Sequence, residues 1–193
     1  MMNITTNTIN FKAHFASKTK IKKYNDKTNS YEPKVATIVE LDPKNKRDIN
    51  AMCEIADNWH EQIFVGDIAN RAVKLKKGEL SSDTNKIYLL TTQKNKLYRL
   101  ETSKILGAIN IEQKYGEPDE IRYFQVKPNT RYCIKNRKYK DVGEALINFT
   151  KSIYNKMIDL YSSVEGFKFY KCQGFKLIEP DVVKMRWVNK KFI

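Results

Sequence analysis

"KYKDVGEALINF", residues 138–149, places two lysines, an aspartate and a glycine at the mouth of an apolar stripe. The stripe runs through Leu146, Phe149, Ile153 and Met157, with Ile147, Tyr154 and Ile158 beside it. That spacing predicts a helix over 143–158 that buries one broad face. A helix begins with unpaired backbone N–H groups and the positive end of its dipole, so a start entered through glycine can hold a phosphate without a side-chain clash. Arg137, Lys138 and Lys140 add positive charge at that point. The same stretch also fits a plain helix cap, because Asp141-x-x-Glu144 has the spacing of a capping box. The local pattern leaves both readings open.

Working outward, "IRYFQV" (121–126) is a β-type run stopped by Lys127-Pro128, since proline has no N–H for a ladder. "KIYLLTT" (86–92) and "KILGAINIE" (104–112) are two more, and "VATIVEL" (35–41) is a fourth. Ile49, Met52, Cys53, Ala56 and Trp59 recur at helical spacing, and a shorter helical stretch surrounds 67–75. Beyond the central helix the sequence predicts a strand near 158–164, a short helix over 165–172 and a closing hairpin. The second arm of that hairpin, "DVVKMRWV", aligns Val183, Met185 and Trp187 on one face. This order predicts an α+β fold with a mixed, mostly antiparallel central sheet flanked by helices. Residues 1–34 are polar and without periodicity, so they are read as a flexible leader, pinned at most by Ile9, Phe11 and Phe15. Residues 35–193 then form one domain.

Three landmarks lie in order along the chain: "QVKP" at 125–128, "KYKDVGEALI" at 138–147 and "FYKCQGF" at 169–175. Together they resemble the GNAT-type N-acetyltransferase superfamily. Its shape is a central strand, the signature Gln/Arg-x-x-Gly-x-Gly/Ala opening the next helix, and a later Phe-Tyr-x-x-x-Gly-Phe element. The likeness covers about residues 35–188. It departs from the pattern where Lys138 replaces Gln or Arg, where Asp141 replaces the first glycine, and in a longer loop between Pro128 and Lys138. A shifted register, Lys140-x-x-Gly143-x-Ala145, fits apart from its first residue; the first register is preferred because it puts Leu146 and Ile147 where the family's helix is apolar.

The resemblance implies acetyl-coenzyme A as cosubstrate, lying between the strand that ends at Val126 and the strand near residue 160. Backbone groups of Phe124, Gln125 and Val126 are then expected to hold the pantetheine arm. The stretch Arg137, Lys138, Tyr139, Lys140, Asp141, Val142, Gly143, Glu144 and Ala145 is expected to cradle the pyrophosphate. The implied reaction is direct transfer to a primary amine, with a base for the amine proton and an acid for the leaving thiolate. Tyr170 stands at the position that resembles the family's general acid, and Glu112 and Glu120 are the candidate bases. His60 and Cys133 are weaker candidates, each read as structural.

Composition supplies the background. The formal charge is +14, from 36 Lys and Arg against 22 Asp and Glu. A basic surface attracts anions, and a non-catalytic module binding RNA is the rival reading. Yet 29 of the cations are lysines and only 7 are arginines, which suits a solvated surface better than a nucleic-acid reader. Three scattered cysteines and two histidines argue against a disulfide framework and against a metal site. No apolar run long enough to span a bilayer and no signal-peptide pattern is present, so a cytoplasmic monomer or homodimer is expected.

Overall fold

The computed structural model describes residues 14–59, 63–94, 97, 99–131, 137–154 and 156–192. Among the described residues nine strands form one sheet: β1 (His14–Asn25), β2 (Ser30–Glu40), β3 (Asn85–Thr91), β4 (Ile105–Glu112), β5 (Asp119–Val126), β6 (Tyr139–Lys140), β7 (Met157–Tyr161), β8 (Lys176–Glu179) and β9 (Lys184–Val188). Their order across the sheet is β6-β1-β2-β3-β4-β5-β7-β9-β8. Every neighbouring pair is antiparallel except β5 and β7. A parallel pair needs a crossover, and α3 (Val142–Ile153) supplies it. The other helices are α1 (Lys46–Asn58), α2 (Ile63–Lys77) and α4 (Val164–Cys172).

Alternating side chains send apolar residues to both faces of the sheet, so two cores form. On one face Ile38, Leu90, Ile109 and Ile121 pack with Leu146 and Ile147 of α3 and Tyr170 of α4. On the other, Val39, Leu89 and Ala108 pack with Met52 and Ile55 of α1 and Ile68 of α2. Each fully buried aliphatic side chain contributes about 1.5–3 kcal/mol, which is why the helices sit down on the sheet. Among the described residues no helix is long and apolar enough to cross a membrane.

The α+β reading holds, with three differences of extent. Residues 14–34, expected in a loose leader, lie in β1 and the first part of β2, paired from His14↔Glu40 to Asn25↔Ser30. The strand was hidden because four of its twelve residues are lysines and Ile21 is its one fully buried residue. Residues 1–13 lie outside the described residues. Second, α3 ends at Ile153, not 158, because Tyr154 turns inward as its C-cap and Met157 starts a strand held between β5 and β9. Ile153 and Met157, which continue the helical stripe in sequence, are 44% and 38% exposed. Third, the two-residue β6, which pairs with β1, has no sequence signal of its own.

Candidate active site

The parallel ladder between β5 and β7 is short. It runs through Asp119↔Ile158, Glu120↔Asp159 and Ile121↔Leu160, and among the described residues it ends there. On its other edge β5 stays paired with β4 as far as Val126↔Gly107. The register of that pair shifts between Asn110 and Ile111, leaving Arg122 as the extra residue of a β-bulge. Residues 122–126 therefore offer one open backbone edge, beginning where the bulge re-aims the strand. Phe124, Gln125 and Val126 all lie on it. The Val126 carbonyl accepts the Gln125 side-chain amide at 3.1 Å.

On the α3/α4 face the opening is walled by rings. Phe124 stacks on Phe169 at 6.0 Å with planes 9° apart, and Tyr170 lies 6.2 Å from Phe124, 5.2 Å from Phe169 and 5.8 Å from Phe175. A Cβ on Gly143 would lie 3.3 Å from Phe124 and 3.2 Å from Phe169. The bare face of Gly143 thus makes room for this ring stack. The motif around Tyr170 has a similar physical reading. Gly174 at φ +81° stops α4, and the Phe175 N–H donates to the Tyr170 carbonyl at 3.1 Å, which folds both rings into the core. Tyr170 is 8% exposed, and its hydroxyl makes no hydrogen bond among the described residues. Burial raises its phenol above the ordinary value.

The start of α3 differs from a capping box. Asp141 is the N-cap residue but sits in the left-handed region at φ +66°, ψ +13°, and its side chain makes no cap hydrogen bond. Its carbonyl accepts from the Ala145 N–H at 2.9 Å, while its carboxylate pairs with Lys22 of β1 at 3.1 Å. The first-turn amides are therefore left to another acceptor. Positive φ is costly for most side chains and tolerated by glycine, asparagine and aspartate, so the backbone accounts for what stands at 141. Val142 and Ala145 are buried and pack inward, Glu144 lies in the first turn, and Tyr139 and Lys140 form β6. Of the residues before β6, the Arg137 carbonyl accepts the Tyr31 hydroxyl at 2.7 Å and the Lys138 carbonyl accepts the Tyr24 N–H at 2.9 Å. Tyr139 also lines a cavity of about 400 Å³ shared with Lys34, Lys94 and Lys104, so further cations stand beside this loop.

The opposite face of β5 is charged. Glu112 accepts from Arg71 of α2 at 3.1 Å and pairs with Arg122 at 3.4 Å. Glu120, its partner across the β4–β5 ladder, is bound by Arg122 and by Lys114 at 2.7 Å, with 5% of its side chain exposed. Beside Glu120 in the parallel register, Asp159 takes both Arg186 nitrogens at 2.6 and 2.8 Å. The structure brings Glu112 and Glu120 into one network, on the sheet face away from Tyr170. His60 and Cys133 lie outside the described residues. Sequence reasoning missed Lys22, Tyr31 and Phe169. The turn "YNDKTNSY", two tyrosines around turn-forming residues, was the available signal for the hairpin that carries the first two.

Neither a family model nor a curated protein matches the sequence. Solved structures do. A GNAT-family protein from Desulfovibrio desulfuricans matches with a TM-score of 0.56 at 11% identity, over 79% of this chain and 98% of that one. Tetrahymena Gcn5 matches at 0.53 and 16% identity, over 80% and 96%, and Ard1 from Thermoplasma volcanium at 0.52 and 18%, over 80% and 97%. At such identities the likeness is one of fold: the chain has the fold of the GNAT-type acetyltransferases.

Proposed function

We propose that this protein is an N-acetyltransferase that moves an acetyl group from acetyl-coenzyme A directly to a primary amine. The observation that carries the reading is one juxtaposition. The β5–β7 ladder opens after Ile121, beside an α3 N-terminus whose first-turn amides receive no side-chain cap. The residues fit the cosubstrate in kind. Uncapped amides with Arg137, Lys138 and Lys140 nearby suit a pyrophosphate, and the one-sided edge of Phe124, Gln125 and Val126 suits a linear amide chain. When bound, the thioester supplies the activated acyl group.

The two faces of β5 then take separate roles. Glu120 accepts the amine proton, directly or through a water. It is preferred over Glu112 because it lies on β5, one residue before the ladder ends, whereas Glu112 lies on β4. From the other face Tyr170, protonated throughout the ordinary pH range, directs its O–H at the departing sulfur. Arg122, held by both glutamates, keeps Glu120 oriented at the bulge.

The test is calorimetry with acetyl-coenzyme A, followed by thiol release with a panel of primary amines. Saturable binding and amine-dependent release are expected. No binding to acetyl-coenzyme A ends the reading. Indifference to the coenzyme together with salt-sensitive binding of single-stranded RNA puts a non-catalytic basic module in its place.

A further inference from the structure

The β1–β2 hairpin meets the rest of the protein at a place that matters for the proposed coenzyme site. At its far end, β1 pairs with β6 through Lys22↔Lys140 and Lys23↔Tyr139. Two more contacts fix the segment just before β6: the Tyr31 hydroxyl on the Arg137 carbonyl and the Tyr24 N–H on the Lys138 carbonyl. The first part of the stretch expected to cradle a pyrophosphate is thus held against a hairpin, through the two residues of β6.

The register sets a problem at this spot. Lys22 and Lys140 stand directly opposite each other, and like charges so placed repel. Each has a separate way out. Lys140 places its ammonium 3.7 Å from the centre of the Tyr31 ring, a cation–π contact, while Lys22 reaches Asp141 at 3.1 Å. The Lys22–Asp141 pair is 57% and 31% exposed, so its contribution to stability is small. Its position is another matter. Asp141 is the residue at which α3 begins, and an unneutralised carboxylate there opposes any anion drawn to the α3 amides.

We propose that Lys22 is a positioning residue of the coenzyme site: it holds and neutralises the Asp141 carboxylate at the mouth of α3, so that the mouth admits a phosphate despite carrying an aspartate. The inference rests on the acetyltransferase reading. It makes the β1–β2 hairpin part of the site and predicts that Lys22 acts through Asp141, not by touching the ligand.

The experiment is a double-mutant cycle on the full chain, read by calorimetry with coenzyme A and accompanied by thermal melts. In the wild-type background Lys22→Ala weakens coenzyme A binding about five- to tenfold, the lower part of the usual range for one coupling, and Lys22→Arg restores it to within about twofold. In an Asp141→Gly background the same Lys22→Ala changes affinity by less than about twofold. Melting temperatures of the Lys22 variants stay within about 2 °C of their parents, as an exposed pair requires. Equal weakening in both backgrounds overturns the proposal, because Lys22 then acts on the ligand itself. Unchanged affinity of Lys22→Ala in the wild-type background overturns it too. A wild-type protein that binds no coenzyme A sinks the acetyltransferase reading instead, and the inference with it.

Discussion

The two faces of β5 at its divergence from β7 contrast sharply. Toward α3 and α4 the wall is aromatic and uncharged: Phe124, Phe169, Tyr170 and Phe175 stack within 6.2 Å of one another along the chain of contacts. Toward α2 it is ionic, with Glu112 and Glu120 tied to Arg71, Lys114 and Arg122. An apolar wall disfavours the charged form of a phenol and so keeps Tyr170 protonated, whereas the other wall presents side chains that are paired with cations. In the proposed chemistry this strand separates the proton donor from the proton acceptors, and its ladder with β7 ends one residue beyond Glu120. The proposed chemistry depends on that asymmetry, so it is there that it is best attacked.

The largest expected effect is on the ionic side. Glu120→Gln keeps the shape but removes the base, and kcat should fall about 10²- to 10⁴-fold while coenzyme affinity changes little. Single-turnover rates with a fixed amine measure this. If Glu112→Gln is the more damaging of the two, the roles on that face are reversed. On the aromatic side, Tyr170→Phe keeps the ring and its packing but deletes the proton. We expect kcat to drop by about 10², the lower end for an acid, because burial that raises the phenol also makes it a reluctant donor. Full retention of kcat would reduce Tyr170 to a core aromatic.

A smaller effect sharpens the contrast within the ionic side. Asp48 of α1 is also a buried carboxylate on that face, but its hydrogen-bond donors are the Asp42 N–H at 3.1 Å and the Asn45 side chain at 3.0 Å. Burial, only partly offset by the Asp42 amide, pushes its carboxyl up to about 6. The folded state therefore holds this proton more tightly than the unfolded chain. The resulting stability is complete below about pH 4 and is lost as pH rises through about 6, at most about 3 kcal/mol. Asp48→Asn cannot titrate, so the melting temperature of the variant minus that of the wild type should rise between pH 5 and pH 7.5. A flat difference would mean that the hydrogen bonds from Asp42 and Asn45 compensate the burial of Asp48 in full.

Much of this asymmetry was legible in the sequence, and for a common reason. "FYKCQGF" and "KYKDVGEALINF" each carry their geometry locally, in a turn glycine, apolar spacing and a cluster of cations, so they could be placed on elements before any contact was known. Glu120 was legible as a strand-start carboxylate, though not its two cations, because Lys114 and Arg122 reach it through a turn and a bulge whose register no spacing encodes. The hairpin left a signal only in its turn, because β1 faces solvent along most of its length and a strand with one buried residue shows no alternation. The capping box at Asp141, one of two readings the local pattern left open, is absent from the structure. Its spacing was right, but a partner 119 residues earlier in the chain, Lys22, takes the carboxylate away.

The absence of a cap sets the sign of the smallest prediction on stability. Were Asp141 a cap, Asp141→Gly would cost about 1 kcal/mol of stability. The side chain caps nothing, and the backbone at φ +66° is one that glycine adopts freely, so the substitution relieves a modest backbone strain and forfeits only an exposed ion pair. The melting temperature should therefore stay level or rise by a degree or two. Glycine also gives the unfolded chain more freedom, which offsets part of the gain and keeps it small. Coenzyme A binding should tighten about threefold, since a negative charge leaves the helix mouth. The tightening should shrink as salt is raised, because the removed repulsion is screened over roughly 10 Å at 0.1 M. Weaker binding at every salt concentration would show that the Asp141–Lys22 pair shapes the loop more than it opposes the ligand.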